Sequence, residues 1–160
     1  MNCIGLFGTC GGSSWRNTFI EKYEELKIPF FNPQVADWSP DLAEVEAEHL
    51  VNDSIILFPV TNETFGTGSL AETGFSIMQA INSNEHRSVV IMIDKDIKEE
   101  LKNSDPVASK ESLRARALVK AHLLKNKKSN VYVVDSLEKM LEVSLKLYQV
   151  HEILNSITDK

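Results

Sequence analysis

The chain reads as an α/β domain: a five-stranded parallel sheet with helices on both faces, in a three-layer αβα arrangement. Apolar strand-like runs and helix-patterned segments alternate five times with no hairpin turn signal between them. Ser88–Ile93 is almost continuously apolar, as expected of a parallel strand covered on both faces. At 160 residues the chain suits a single domain, residues 1–160, with a sizeable core. No repeat or low-complexity segment divides it.

Asn2–Phe7 is the first predicted strand. The following Gly8–Ser14 is too rich in glycine and hydroxyls to be regular. Ser13 or Ser14 caps a helix on which Trp15, Phe19, Tyr23 and Leu26 fall at helical spacing. Ile28–Phe31 is a second, aromatic strand. Asn32 to Pro40, with its Asx-Pro start, is a defined loop. Pro40 to Asn52 is an acidic helix with Pro40 near its first position and Leu42, Val45, His49 and Leu50 on one stripe. Ser54–Val60 is the third strand. The third helix runs from Ser69 to about Asn82, with Ser69 and Glu72 forming a capping box. After the fourth strand, Asp94–Ser109 is polar, with a short helix at Ile97–Lys102, a break at Asp105-Pro106 and the character of a mobile lid. A long helix from Lys110 to about Asn126 carries the apolar line Leu113, Ala117, Ala121, Leu124. Val131–Val134 is the fifth strand, and Asp135-Ser136 caps a final helix to about Ser156.

Composition narrows the function classes. The formal net charge of -6 argues against nonspecific nucleic-acid binding, which needs a basic stripe to neutralise phosphates. No apolar run approaches membrane-spanning length. There are two cysteines, too few for a disulfide framework, and after Met1 the chain goes straight into a strand-like segment. A cytoplasmic protein with reduced thiols is expected, and neither a cofactor nor a metal. Cys10 reads as a spectator thiol. Arg114 and Arg116 read as surface salt-bridge residues, with an anion as the other reading.

Three unusual loops lie at the carboxyl ends of predicted strands, the edge where such sheets bind ligands. The first offers Gly8, Thr9, Gly11, Gly12, Ser13 and the adjacent Arg16 as a cradle for a phosphate or ribose. It lacks the Gly-Lys-Ser/Thr ending of a P-loop and the Gly-x-Gly-x-x-Gly spacing. The second holds Asp37 and Trp38. The ring suits stacking on a base and the carboxylate suits a base edge or sugar hydroxyl; a hydrophobic plug and an Asx turn are the alternatives. The third is Phe65-Gly66-Thr67-Gly68-Ser69-Leu70-Ala71-Glu72, where a glycine turn opens a helix with a carboxylate on its first turn or so. Held beside a bound sugar, Glu72 could serve as nucleophile or general base.

Together these residues resemble the nucleoside 2-deoxyribosyltransferase-like family. The motifs that carry the resemblance are Asn32-Pro33-Gln34-Val35-Ala36-Asp37-Trp38 and Gly68-Ser69-Leu70-Ala71-Glu72, in that order behind a strand with a Gly/Ser loop. The first half of the chain is covered well, the remainder only in its order of elements. The resemblance implies a flavodoxin-like, Rossmann-like sheet and cleavage of the N-glycosidic bond of a (deoxy)nucleoside or its 5′-monophosphate. Glu72 would attack the anomeric carbon, and water or a second base would resolve the glycosyl-enzyme. Asp37 or an acidic residue of the second helix would protonate the departing base. Gly8–Ser14 would hold the sugar or a 5′-phosphate with Arg16 as charge partner, and Asn32, Trp38, Gly68 and Ser69 would complete the substrate site. The resemblance also implies a homodimer or higher homo-oligomer. One departure stands out: the transferases usually carry an aspartate six residues ahead of the nucleophile, where this chain has Gly66. Hydrolysis and base exchange both stay open.

Two other readings compete. The same pocket could bind a nucleotide without turnover, as a sensor. A cytokinin-type phosphoribohydrolase would carry Pro-Gly-Gly-x-Gly-Thr-x-x-Glu; Phe65–Glu72 half matches that motif, and the Asn-Pro…Asp-Trp segment has no place in it.

Overall fold

The computed structural model describes residues 2–36, 39–74, 76–84 and 86–158. Strands β1 (Ile4–Leu6), β2 (Phe30–Phe31), β3 (Ile55–Val60), β4 (Ser88–Ile93) and β5 (Val131–Val134) form one sheet in the order β2-β1-β3-β4-β5. Every pairing is parallel: Ile4 lies against Phe30 and Ile55, Ile55 against Ser88, and Val89 against Val131. β3 and β4 are central and buried at all positions, which is why their sequences are runs rather than alternations. The helices are α1 (Arg16–Leu26), α2 (Pro40–Asn52), α3 (Thr67–Gly74), α4 (Ser76–Ser83), α5 (Glu99–Ser104), α6 (Pro106–Leu123) and α7 (Leu137–Thr158). The five-stranded, doubly covered sheet expected from the sequence is therefore the fold.

Alternate strand residues feed two cores. Ile4, Leu6, Ile55, Leu57, Val90 and Met92 meet Phe19 and Tyr23 of α1 and Met140 and Leu147 of α7. Phe7, Ile56, Phe58, Val60, Val89 and Ile91 meet Leu70, Ile77 and Ile81 of α3 and α4, with Val119 and Leu123 of α6 alongside. The chain thus leaves β1 toward one face and β3 toward the other. The loops after these neighbouring strands diverge and leave a crevice at the carboxyl edge, the switch point of the sheet.

Several boundaries differ from expectation, each for a local reason. α1 begins at Arg16 and has no side-chain cap; the Ser13 hydroxyl donates to the Glu63 carboxylate instead. The third predicted helix is described over 67–74 and 76–83. Its first turn, closed by Leu70 N–H to Gly66 O at 2.8 Å, already runs at Thr67, so Ser69 lies inside that turn rather than at the cap of a Ser-x-x-Glu box. Asp105-Pro106 is the expected break, since α5 ends at Ser104, and it is also the start of α6. Asp105 Oδ1 accepts from Val107 N at 3.1 Å and Ala108 N at 2.9 Å, and proline takes the first helical position.

The buried line of α6 is Ser112, Ala115, Arg116, Val119 and Leu123, not the predicted apolar line, whose Leu124 is 65% exposed. Three inward positions of that helix, Ser109, Ser112 and Arg116, are polar, which shifts the apparent phase of its apolar residues. The Asp94–Ser109 segment is fastened rather than lid-like. Asn62 N donates to Asp94 Oδ2 at 2.7 Å, Lys98 N donates to Asn62 O at 3.0 Å, and Ile97 is buried. No helix among the described residues is long and apolar enough to cross a membrane.

Candidate active site

Two buried arginines shape the loops that flank the crevice. Arg116 reaches from α6 under the β3–α3 loop. Its Nη1 donates to Val60 O and Asp94 O at 3.1 and 3.2 Å, and its Nη2 to Thr61 O and Thr64 O, both at 2.9 Å. It is neither a surface ion-pair residue nor an anion ligand, because it is buried and its donors are spent on main-chain carbonyls. Ser112 Oγ adds a 2.6 Å bond to Phe65 O. Gly66 turns over this brace with φ +69; a Cβ there would come within 2.8 Å of Val60 Cγ1 and 3.0 Å of Arg116 Nη2. At Gly66 both the backbone conformation and the guanidinium beneath disfavour a side chain.

Arg16 does the corresponding work for the β1–α1 loop. Nε donates to Leu6 O at 2.9 Å and Nη1 to Thr9 O at 2.7 Å, while Nη2 lies 3.4 Å from Cys10 Sγ. The guanidinium stacks 4.6 Å from the Trp15 ring centroid and the residue is 1% exposed. The expected role of Arg16 as a phosphate partner is thus replaced by a structural one. Thr9 is buried too, with Oγ1 donating to Pro59 O at 3.1 Å and accepting from Thr61 N at 2.9 Å. These bonds tie the ends of β1 and β3 together. Gly8, with φ +89, lies so close to β3 that a Cβ would approach Pro59 O to 2.5 Å.

Between the two loops is a cavity of about 410 Å³ lined by Gly8 and Cys10 on one side, Thr64 to Ser69 and Glu72 on the other, and Glu46 of α2. Of the residues expected at a substrate site, Gly8, Gly68, Ser69 and Glu72 come together here. Thr9, Ser13 and Arg16 lie beneath the surface as braces. Gly11 and Gly12 are exposed at the loop tip outside the lining, with Gln34 Nε2 donating to Gly11 O at 3.1 Å. Asn32 accepts from Gln34 N at 3.0 Å in an Asx turn, beside Pro33, which does line the cavity. Asp37 and Trp38 lie outside the described residues.

Glu46 is the member of the acidic second helix that faces inward. Sequence placed an acid on that helix without singling one out, because Glu44, Glu46 and Glu48 are chemically alike and only the helix phase separates them. Glu72 is exposed as a residue, yet partial desolvation in the concave wall, and then the charge of Glu46, push its carboxyl above the ordinary glutamate value. No lysine or arginine lines the cavity among the described residues.

A larger cavity of about 770 Å³ opens on the α1 and α7 side of β3. It gathers Glu63, Asp94, Asp135, Glu138 and Glu142, a concentration of like charge that disfavours anionic ligands, and it lacks the glycine loops and Glu72. No protein-family model, no curated protein and no solved structure matches the chain.

Proposed function

We propose that the protein cleaves the N-glycosidic bond of a nucleoside, with Glu72 as nucleophile and Glu46 as proton donor. The observation that supports this reading most is that both carboxyls line one 410 Å³ cavity at the sheet's switch point. A Glu72 oxygen attacks C1′ as the C1′–N bond breaks. The bonding pair goes to the base, which takes the Glu46 proton, and the ring oxygen shares the developing positive charge. Ionised Glu46 then removes a proton from water or from a second base, which attacks C1′ and frees Glu72. Hydrolysis and exchange differ only in that acceptor.

The lining argues for an unphosphorylated nucleoside over its 5′-monophosphate. Arg16 and Arg116 are committed to carbonyls and two glutamates stand nearby, so a phosphate would rely on main-chain N–H groups at the start of α3. The same reading puts the protein in the cytoplasm as a homo-oligomer acting on a small molecule. Incubation with a panel of nucleosides and their 5′-monophosphates, with and without an acceptor base, tests it. We expect free base from nucleosides, lost in Glu72→Gln. A natural protein that binds these ligands but releases no base would favour the sensor reading; faster turnover of monophosphates would reverse the preference.

A further inference from the structure

At the opposite, amino-terminal edge of the sheet lies a second group of reactive side chains that glycosidic chemistry does not use. Cys3 immediately precedes β1, His49 sits on the last turns of α2, and Asp53 follows that helix. One ligand-capable atom from each lies within 4.8 Å of the others. His49 Nδ1 is 3.0 Å from Asp53 Oδ1, and the imidazole stacks on Phe31 at 3.7 Å between ring centroids, nearly parallel. Cys3 and Asp53 are buried, at 4% and 0% exposure, while His49 keeps one side open.

One feature of this cluster is unexplained by packing. Asp53 Oδ2 is buried and accepts from no nitrogen or oxygen donor among the described residues; the Cys3 thiol, a weak donor, is the hydrogen-bonding neighbour of that carboxyl, and a poorly satisfied buried carboxylate is costly. Cys3, Gly5 and Phe7 share the face that α2 covers, and a Cβ at Gly5 would run into the Phe7 ring and meet Asp53 Oδ2 at 2.8 Å. The carboxyl therefore lies against the bare backbone of the strand, next to the thiol.

We propose that Cys3, His49 and Asp53 form a binding site for a zinc-class divalent cation. Thiolate sulfur, imidazole nitrogen and carboxylate oxygen are the donors such an ion takes, with a solvent ligand completing four-coordination on the open His49 side. Binding displaces the Cys3 thiol proton to solvent. His49 keeps its proton on Nε2 and offers Nδ1, exchanging its bond to Asp53 for the metal. The thiolate and carboxylate together balance the ion's two charges, while the nearby Arg87 keeps its bonds to the main-chain carbonyls of Asp53, Leu50 and Ala80. The ion would clamp the foot of α2, which has no buried residue of its own and carries Glu46 three residues before His49. The site is thus structural for the wall of the crevice, and it stands whether or not the pocket is catalytic.

Cobalt(II) titration in a Cys10→Ser background, which leaves Cys3 as the sole thiol, tests this directly. We expect one equivalent to bind with a near-ultraviolet thiolate-to-cobalt band, zinc to displace it, and zinc to raise the melting temperature. Cys3→Ser should abolish the band, and His49→Gln should weaken cobalt binding by more than about tenfold. Absence of the band in the Cys10→Ser protein, or its persistence in Cys3→Ser, overturns the proposal. If Cys3→Ser fails to melt cooperatively without metal, His49→Gln, at a partly exposed position, decides: unchanged affinity there also overturns it.

Discussion

The loops after β1 and β3 use the same device, a buried arginine donating into main-chain carbonyls beneath a glycine turn, yet they draw it from different distances. Arg16 comes from the helix that the β1 loop itself starts. Arg116 comes from α6, about fifty residues beyond the loop it holds. The local brace leaves a loop tip, Gly11 and Gly12, with open space around it. The distant brace holds its turn from beneath: Gly66 packs against the guanidinium, and Val60, Thr61, Thr64 and Asp94 all converge on it. Loops at one sheet edge thus divide the work. The β3 loop is the rigid wall that carries Glu72, and the β1 loop is the wall with room to adjust to a ligand.

The sharpest way to break this contrast is to remove each arginine. Arg116→Met strips donors from four carbonyls, of which Val60 O keeps the Asp94 N–H. A cost of about 3–5 kcal/mol is expected, or a melting temperature lower by about 10 °C. Arg16→Met leaves Thr9 O bonded to Trp15 Nε1 at 2.9 Å and should cost about 1–3 kcal/mol. Equal losses in thermal melts would erase the distinction. Gly66→Ala combines positive φ with contacts at 2.8 and 3.0 Å and should cost about 2–4 kcal/mol; a neutral result would mean that the loop gives way and is not rigid.

Next in size is a pH effect on base release. Glu72 acts as a carboxylate, and desolvation with the Glu46 charge raises its protonation range in the folded protein. The acidic limb of kcat/KM should therefore lie at higher pH than an ordinary glutamate gives. Glu46→Gln removes the proton donor, so the basic limb should disappear while the acidic limb, set first by desolvation, stays near its place and the rate falls about 10²-fold. An acidic limb that moves to lower pH would show that Glu46 is ionised in the active form and is not the donor. The smallest effect is expected at Gly12, whose φ is not in the left-handed region and whose Cβ position is open. Gly12→Ala should change stability by less than about 1 kcal/mol, and any larger change in substrate KM would mark the loop tip as a ligand contact.

What sequence could and could not reveal follows the same division. The apolar runs of β3 and β4 and their alternation with helices were enough for the sheet, because burial on both faces leaves a continuous signature in one dimension. Arg16 was visible beside its loop but misassigned to a phosphate, since nothing in a sequence displays the carbonyls that occupy it. Arg116 and Ser112 disguised the inner face of α6 by being polar where an apolar residue is expected. Glu72 was legible because glycine turn, helix start and acid are contiguous. Glu46 required the phase of α2 against a loop far along the chain, and Cys3, His49 and Asp53 required three separate segments to meet.

The central claim is that Glu72 takes the sugar. Intact-mass measurement of protein quenched during turnover of a reactive nucleoside addresses it most directly. We expect an adduct of one glycosyl unit that maps to the peptide containing Glu72 and is missing in Glu72→Ala, with base released in step. Base release with the same yield from Glu72→Ala, or an adduct on another residue, would contradict it.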